Sequence, residues 1–226
     1  MGERVAAITG GHGALGRAVV EAAMAAGWAV AVIDHASGHA VPEGVLEVGG
    51  VDLTDPAQAK SAIDAVVARY GRLDALLNIA GGFVWTPVEG DGEEWDRMHA
   101  LNVKTTLNAS RAALTHLKAS PEGRIVNVGA NGAIKAGHGM GAYAASKSAL
   151  IRLTESMSAE LKHQGINVNC VLPSIIDTPD NRAAMPDADA SRWVAPAALA
   201  DVIAFLASDG AAAIHGAAIP VTGLVD

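Results

Sequence analysis

The chain has 226 residues and a formal net charge of −8; 50% of it is hydrophobic, 18% charged and only 4% aromatic. That is enough apolar material for one domain with a sizeable core, and it excludes a chain that is disordered throughout. The acidic balance, with no Lys/Arg cluster, argues against a nucleic-acid surface.

In chain order, Val5–Thr9 is a short apolar run that opens into glycines and predicts a first strand. Residues 14–26 are helical in composition and stop at Gly27, which suits the position after a helix end. Residues 28–33 form a continuous apolar run, as expected of a strand buried on both faces. A third strand is expected at 45–51, weakened by Gly49 and Gly50. Asp55-Pro56 puts an N-cap before a proline and opens a helix to about Tyr70. Residues 73–79 form another buried strand. A Gly- and Pro-rich loop follows, then a long helix from Glu93 to about Lys118.

Strand five spans 124–128 and runs into a glycine-rich segment, 129–141. A long helix is expected from Ala142 to His163, stopped by Gly165. Residues 166–172 form strand six, ended by Pro173. Polar residues and prolines fill 173–196, which predicts a loop. A helix at 196–208 and a strand at 217–221 complete the pattern. Strands separated by helices imply right-handed crossovers and an α/β fold: a doubly wound parallel sheet of about seven strands with helices on both faces. No linker or repeat interrupts it, so residues 1–226 form a single domain.

Glu3 and Arg4, followed by Gly10 and Gly11, leave no signal-peptide core. Ala6 fails the Ser/Thr requirement for myristoylation at Gly2. The longest apolar stretch, 22–33, is too short to span a bilayer. The one cysteine, Cys170, forbids an internal disulfide and fits a reducing compartment. A cytoplasmic protein with no membrane partner is expected.

The first strand leads into Gly10-Gly11-His12-Gly13-Ala14-Leu15-Gly16 and then a helix. Such a turn lets the backbone approach a pyrophosphate, which the helix N-terminus attracts. The second strand ends in an acid, Asp34, which can accept hydrogen bonds from ribose hydroxyls and would repel a 2′-phosphate. NAD(H) is therefore expected over NADP(H). Asp52-Leu53 after strand three, with Asp52 on the adenine, and Ala80-Gly81-Gly82 after strand four should border the same crevice. A structural glycine turn with a capping Asp is the plain alternative.

Tyr143 and Lys147 are four apart and share a helix face with Leu150, Ile151, Thr154, Met157 and Leu161. A lysine on that inward stripe is uncommon unless it is paired or functional. A nearby ammonium would lower the phenol pKa, so that Tyr143 exchanges a proton with substrate near neutral pH. Lys147 could also hold the nicotinamide ribose. A lysine snorkelling beside a core-edge tyrosine is the alternative.

Together the glycine turn, Asp34, Asn78-Ile79-Ala80-Gly81, Asn102, Tyr143-x-x-x-Lys147, Pro173 and Val221-Thr222-Gly223 resemble the short-chain dehydrogenase/reductase family over essentially the whole chain. The resemblance implies a Rossmann-like fold, a nicotinamide cofactor, hydride transfer, and cofactor contacts that include Pro173 and Ile176. It also implies an Asn102 that helps hold a relay water beside Lys147, and a homodimer or homotetramer. Two positions depart from the family pattern. Ala14 stands where a glycine is usual, with Gly13 before it, and Ala130 stands where the family has a catalytic serine. Asn131, next to it, could supply a donor.

Both departures, with Gly129-Ala130, Gly139-Met140, Asp177-Thr178-Pro179, Asn181-Arg182, Met185-Pro186 and Trp193, are similar to the dihydropteridine reductase branch. That similarity implies a 173–196 loop that lies over the substrate, and NADH-dependent reduction of a quinonoid dihydropterin, whose electron-poor ring has less need of a serine. The alternatives are a ketone or secondary-alcohol oxidoreductase of the same family, and a dinucleotide-binding regulator without turnover.

Phe83, Trp85 and Trp193 fall in loops at the expected ligand face, where they could stack on a planar substrate or merely pack as a lid. Trp28 and Trp95 are assigned to structure. His138, five residues before Tyr143, is a further candidate substrate contact. His35 and His39 have i,i+4 spacing, but in a loop context, and no metal site is expected.

Overall fold

The computed structural model describes residues 3–90 and 92–225. Its seven strands form one parallel sheet in the order β3-β2-β1-β4-β5-β6-β7. These are β1 Val5–Thr9, β2 Ala29–Ile33, β3 Leu46–Val48, β4 Ala75–Asn78, β5 Gly123–Val128, β6 Ile166–Pro173 and β7 Ala218–Val221. The order reverses between β1 and β4, so their carboxyl ends open a crevice. The expected single α/β domain is the one observed.

Alternate residues of the buried strands feed two cores. Ala6, Ile8, Val30, Val32, Leu77 and Val126 pack against α1 (Ala14–Ala25) and α7 (Pro196–Ala207). On the other face Ala7, Ile33, Leu76 and Ile125 pack against α2 (Pro56–Tyr70), α4 (Thr105–Ala119) and α5 (Gly141–Leu161). The α2 boundaries follow local chemistry. Asp55 accepts a hydrogen bond from the Ala57 N–H, Pro56 takes the first turn, and Gly71 ends the helix at φ 77°.

Three expectations need correction. Strand β3 is shorter than 45–51, because Gly50 turns at φ 72° and Gly49 packs against Ser37. The helix expected from Glu93 to Lys118 is three pieces: α3 (Glu93–His99), a π-turn at Ala100–Lys104, and α4. Residues 173–196 are not simply loop. They contain α6 (Pro179–Ala184), capped by the Thr178 hydroxyl, which accepts from the Asn181 N–H, and a short 3-10 turn at Ala190–Arg192. Among the described residues, no helix is long and apolar enough to cross a membrane.

Candidate active site

A cavity of about 490 Å³ lies at the carboxyl ends of β1, β2 and β4. The glycine turn makes room for it. A Cβ on Gly10 would meet the Ala80 backbone at 2.8 Å, and one on Gly16 would meet the Gly10 carbonyl oxygen at 2.1 Å. Gly10, Gly13, Ala14, Leu15 and Gly16 line this cavity, as do Asp34, Asp52, Leu53, Ala80, Gly81 and Ile176. Gly11 does not; it is buried against Val32. Ala14 is the first residue of α1, after the N-cap Gly13, so a side chain is accommodated there.

Asp34 is already oriented. Its Oδ2 accepts from the His12 N–H at 3.0 Å and its Oδ1 from the Ala36 N–H at 3.0 Å. Each oxygen keeps a lone pair for a ribose hydroxyl. Asp52 accepts from the Thr54 hydroxyl at 2.7 Å and from its N–H at 2.8 Å, and these bonds hold its pKa below the usual carboxylate value. Cavity residues that sequence reasoning missed include Leu101 and Thr105, brought in by the π-turn, and Thr178 and Asp180 at the start of α6. For Thr178 a signal existed: a threonine before Pro179 is a cap-and-proline helix start.

Tyr143 and Lys147 lie one turn apart on α5, and Lys147 is only 5% exposed. Its Nζ donates to the Val128 carbonyl at 2.7 Å and lies 6.0 Å from the centre of the Tyr143 ring. Burial pushes the ammonium down to about 8 and the Tyr143 phenol up to about 12. The expected lowering of the phenol pKa is therefore overturned. Desolvation of the phenolate dominates, and the ammonium is directed at Val128.

The Asn102 side chain is engaged at both its oxygen and its nitrogen. Its Oδ1 accepts from the Gly82 N–H at 2.9 Å, and its Nδ2 donates to the Gly82 carbonyl at 3.1 Å and the Ser146 hydroxyl at 2.9 Å. Ser146 in turn donates to the Tyr143 carbonyl at 2.7 Å. Asn102 thus ties the β4 loop to the first turns of α5. A Cβ on Gly81 would come within 2.7 Å of Asn102 Oδ1 and 3.3 Å of Lys147 Nζ, so the glycine brings the three together. Pro173 is buried at the end of β6 and does not line the cavity.

Ala130 is 4% exposed at the end of β5, and Asn131 begins the short 3-10 turn Asn131–Ala133, half-buried. Phe83 meets the Tyr143 ring edge-on, with centroids 4.9 Å apart and planes at 81°. The Trp85 indole N–H donates to the His138 carbonyl at 3.0 Å, and the two rings are 5.4 Å apart. The indole packs on Gly139, where a Cβ would lie 2.2 Å away, and the Thr86 N–H donates to the Gly139 carbonyl at 2.7 Å. Trp193 departs from expectation. Hydrogen bonds from the Val194 N–H to the Ile175 carbonyl and from the Asp177 N–H to the Val194 carbonyl turn that segment inward. Trp193 is buried, 8% exposed, and leaves little ring surface for a planar substrate to stack on. His35 borders the cavity, and the His39 ring packs on that of His12 at 4.7 Å. Among the described residues, no group of three or more His, Cys, Asp or Glu could hold a metal ion.

A buried ammonium one helical turn from a phenol, beside a crevice shaped for a dinucleotide, can hold a nicotinamide cofactor and move a proton next to it. Those are the parts of an oxidoreductase, and the chain belongs to the short chain dehydrogenase family, whose pattern matches residues 4–189. It is 34% identical to the 2-(S)-hydroxypropyl-CoM dehydrogenase 3 of Xanthobacter autotrophicus, over 97% of this chain and 95% of that protein. It is 30% identical to the meso-2,3-butanediol dehydrogenase of Serratia marcescens, over 97% and 93%. A solved 3-ketoacyl-(acyl-carrier-protein) reductase of Brucella melitensis, complexed with NADH, superposes with a TM-score of 0.87 at 26% identity, covering 97% of each chain. These relatives support the family at large; similarity to the dihydropteridine reductase branch rests on the motifs alone.

Proposed function

We propose that the protein is an NADH-dependent oxidoreductase that reduces a small, planar, electron-poor ring, of which a quinonoid dihydropterin is the model substrate. The observation that carries this reading is the buried methyl of Ala130 in the place of a hydroxyl donor. An isolated carbonyl needs such a donor as charge develops on its oxygen. A quinonoid ring delocalises that charge itself. The edge-on Phe83 adds a flat apolar wall beside Tyr143.

A bound nicotinamide dinucleotide would supply the hydride. Asp34 would hold its adenosine ribose, and the glycine turn with the α1 N-terminus its pyrophosphate. Tyr143, protonated at neutral pH, gives its phenolic proton to the substrate as the hydride arrives. Lys147, one turn along α5, would hold the nicotinamide ribose. Asn102 is a positioning residue, since its amide is spent on Gly82 and Ser146.

A second reading is supported by the relatives, whose names are those of secondary-alcohol dehydrogenases and ketone reductases. On that reading Asn131 supplies the missing donor. The test is NADH oxidation with quinonoid dihydrobiopterin beside a panel of ketones, with NAD reduction by secondary alcohols run in parallel. Turnover confined to the pterin supports the first reading, and turnover confined to ketones and alcohols the second. Turnover on none overturns both in favour of a dinucleotide-binding regulator.

A further inference from the structure

Next to Asp34, which lines the cavity, stands a cluster that lies outside the cavity lining and that the chemistry above does not use. The His12 backbone is tied to Asp34, but its imidazole turns toward β3, where Nε2 lies 3.0 Å from Glu47 Oε1. The same oxygen accepts from the His39 N–H at 3.2 Å, and the His39 ring packs on that of His12. Glu47 reaches this place because β3 pairs with β2 in a register that sets it opposite Val32, two residues before Asp34. Arg17, in the first turn of α1, donates to the His12 carbonyl.

A 2′-phosphate on the adenosine ribose would arrive beside Asp34, and the groups able to meet it are His12 and Arg17. We infer that Glu47 is a specificity-determining residue: it holds the His12 imidazole toward β3 and adds a second carboxylate on that side of Asp34, so that a 2′-phosphate finds repulsion and no free imidazole, with Arg17 left as its one cation. Asp34 accepts from the ribose hydroxyls; Glu47 removes the histidine that would reward the phosphate. Discrimination of this kind needs the repulsive element as well as the attractive one. The inference rests on the NADH reading above.

The test is titration of the purified protein with NADH and with NADPH, without substrate, followed by nucleotide fluorescence. Glu47→Ala should tighten NADPH binding about fivefold or more while NADH changes less than about twofold. Glu47→Gln, which keeps the size and an acceptor oxygen, should give a smaller shift in the same direction; it also serves if the alanine variant melts early. Adding His12→Ala to Glu47→Ala should abolish the gain. An unchanged NADH-to-NADPH ratio in both Glu47 variants, or equal weakening of both nucleotides, overturns the inference. So does a gain that survives loss of His12. The wild-type ratio judges the NADH reading separately: equal wild-type affinities sink that reading, whereas the role of Glu47 is judged by the change in ratio on substitution.

Discussion

Lys147 Nζ and the Val128 carbonyl oxygen stand 2.7 Å apart, and this bond is the one the structure gives the buried ammonium. Lys147 is thus anchored to the end of β5, the strand that continues into Ala130. One carbonyl dipole compensates a buried charge only in part, which is why burial lowers its pKa from an ordinary 10.5 to about 8.

That anchoring has a signature in stability. A lysine whose pKa is lowered by folding binds fewer protons folded than unfolded between the two values, so stability rises with pH from about 8 upward. Cys170, pushed up to about 11 by burial from an ordinary 9.0, opposes the rise at higher pH, because the unfolded thiol loses its proton first. The wild-type protein should therefore gain stability between pH 8 and 9 relative to Lys147→Met. That variant should be the more stable of the two at pH 7, by roughly 1–3 kcal/mol, while losing turnover. Thermal melts at pH 7, 8 and 9 check this, and parallel pH profiles for the two proteins would contradict it.

Tyr143→Phe removes the transferable proton and little else. Turnover should fall about 10²–10⁴-fold, with NADH binding unchanged. Steady-state rates together with a nucleotide titration separate the two effects. A rate equal to wild type would exclude Tyr143 as the acid.

Ala130→Ser restores a hydroxyl at the end of β5. Ketone reduction should rise by at least about 10-fold, while quinonoid pterin reduction stays within about twofold. A ketone rate unmoved by the new hydroxyl would mean that another donor, with Asn131 the nearest candidate, already does that work.

Phe83→Ala tests the flat wall. The ring is 54% exposed, so the melting temperature should hardly move. Catalytic efficiency on a planar substrate should fall about 3–10-fold, the worth of one aromatic contact, chiefly through KM. A similar loss on a small aliphatic ketone would instead implicate the support that Phe83 gives Tyr143.

Much of this was legible in the sequence where the chemistry is local. Asp55-Pro56 and Gly71 fix the ends of α2 by capping alone, and Asp34 sits where the β2 apolar run ends. Tyr143 and Lys147 share a face because helical periodicity requires it. What was not legible depends on partners distant in sequence. The burial of Trp193 goes with hydrogen bonds of its neighbour Val194 to Ile175 and Asp177, and the entry of Leu101 and Thr105 into the cavity follows from a π-turn. The direction of the Tyr143 shift is set by desolvation, which spacing along one helix does not reveal. The meeting of His12 with Glu47 requires the β2–β3 register.

The two cores carry a mechanical consequence. The turn that would grip the cofactor runs into α1 on one face of the sheet, while Tyr143, the proposed proton donor, rides on α5 on the other. In the proposed reaction, hydride and proton must nevertheless reach one substrate. Their alignment is carried through the strands between, where Thr9 is paired with Asn78 and Asn78 with Asn127. The sheet works here as the frame of a vice, with its jaws mounted on opposite sides. Substitutions that loosen those three central strands should misalign the reaction long before they unfold the protein.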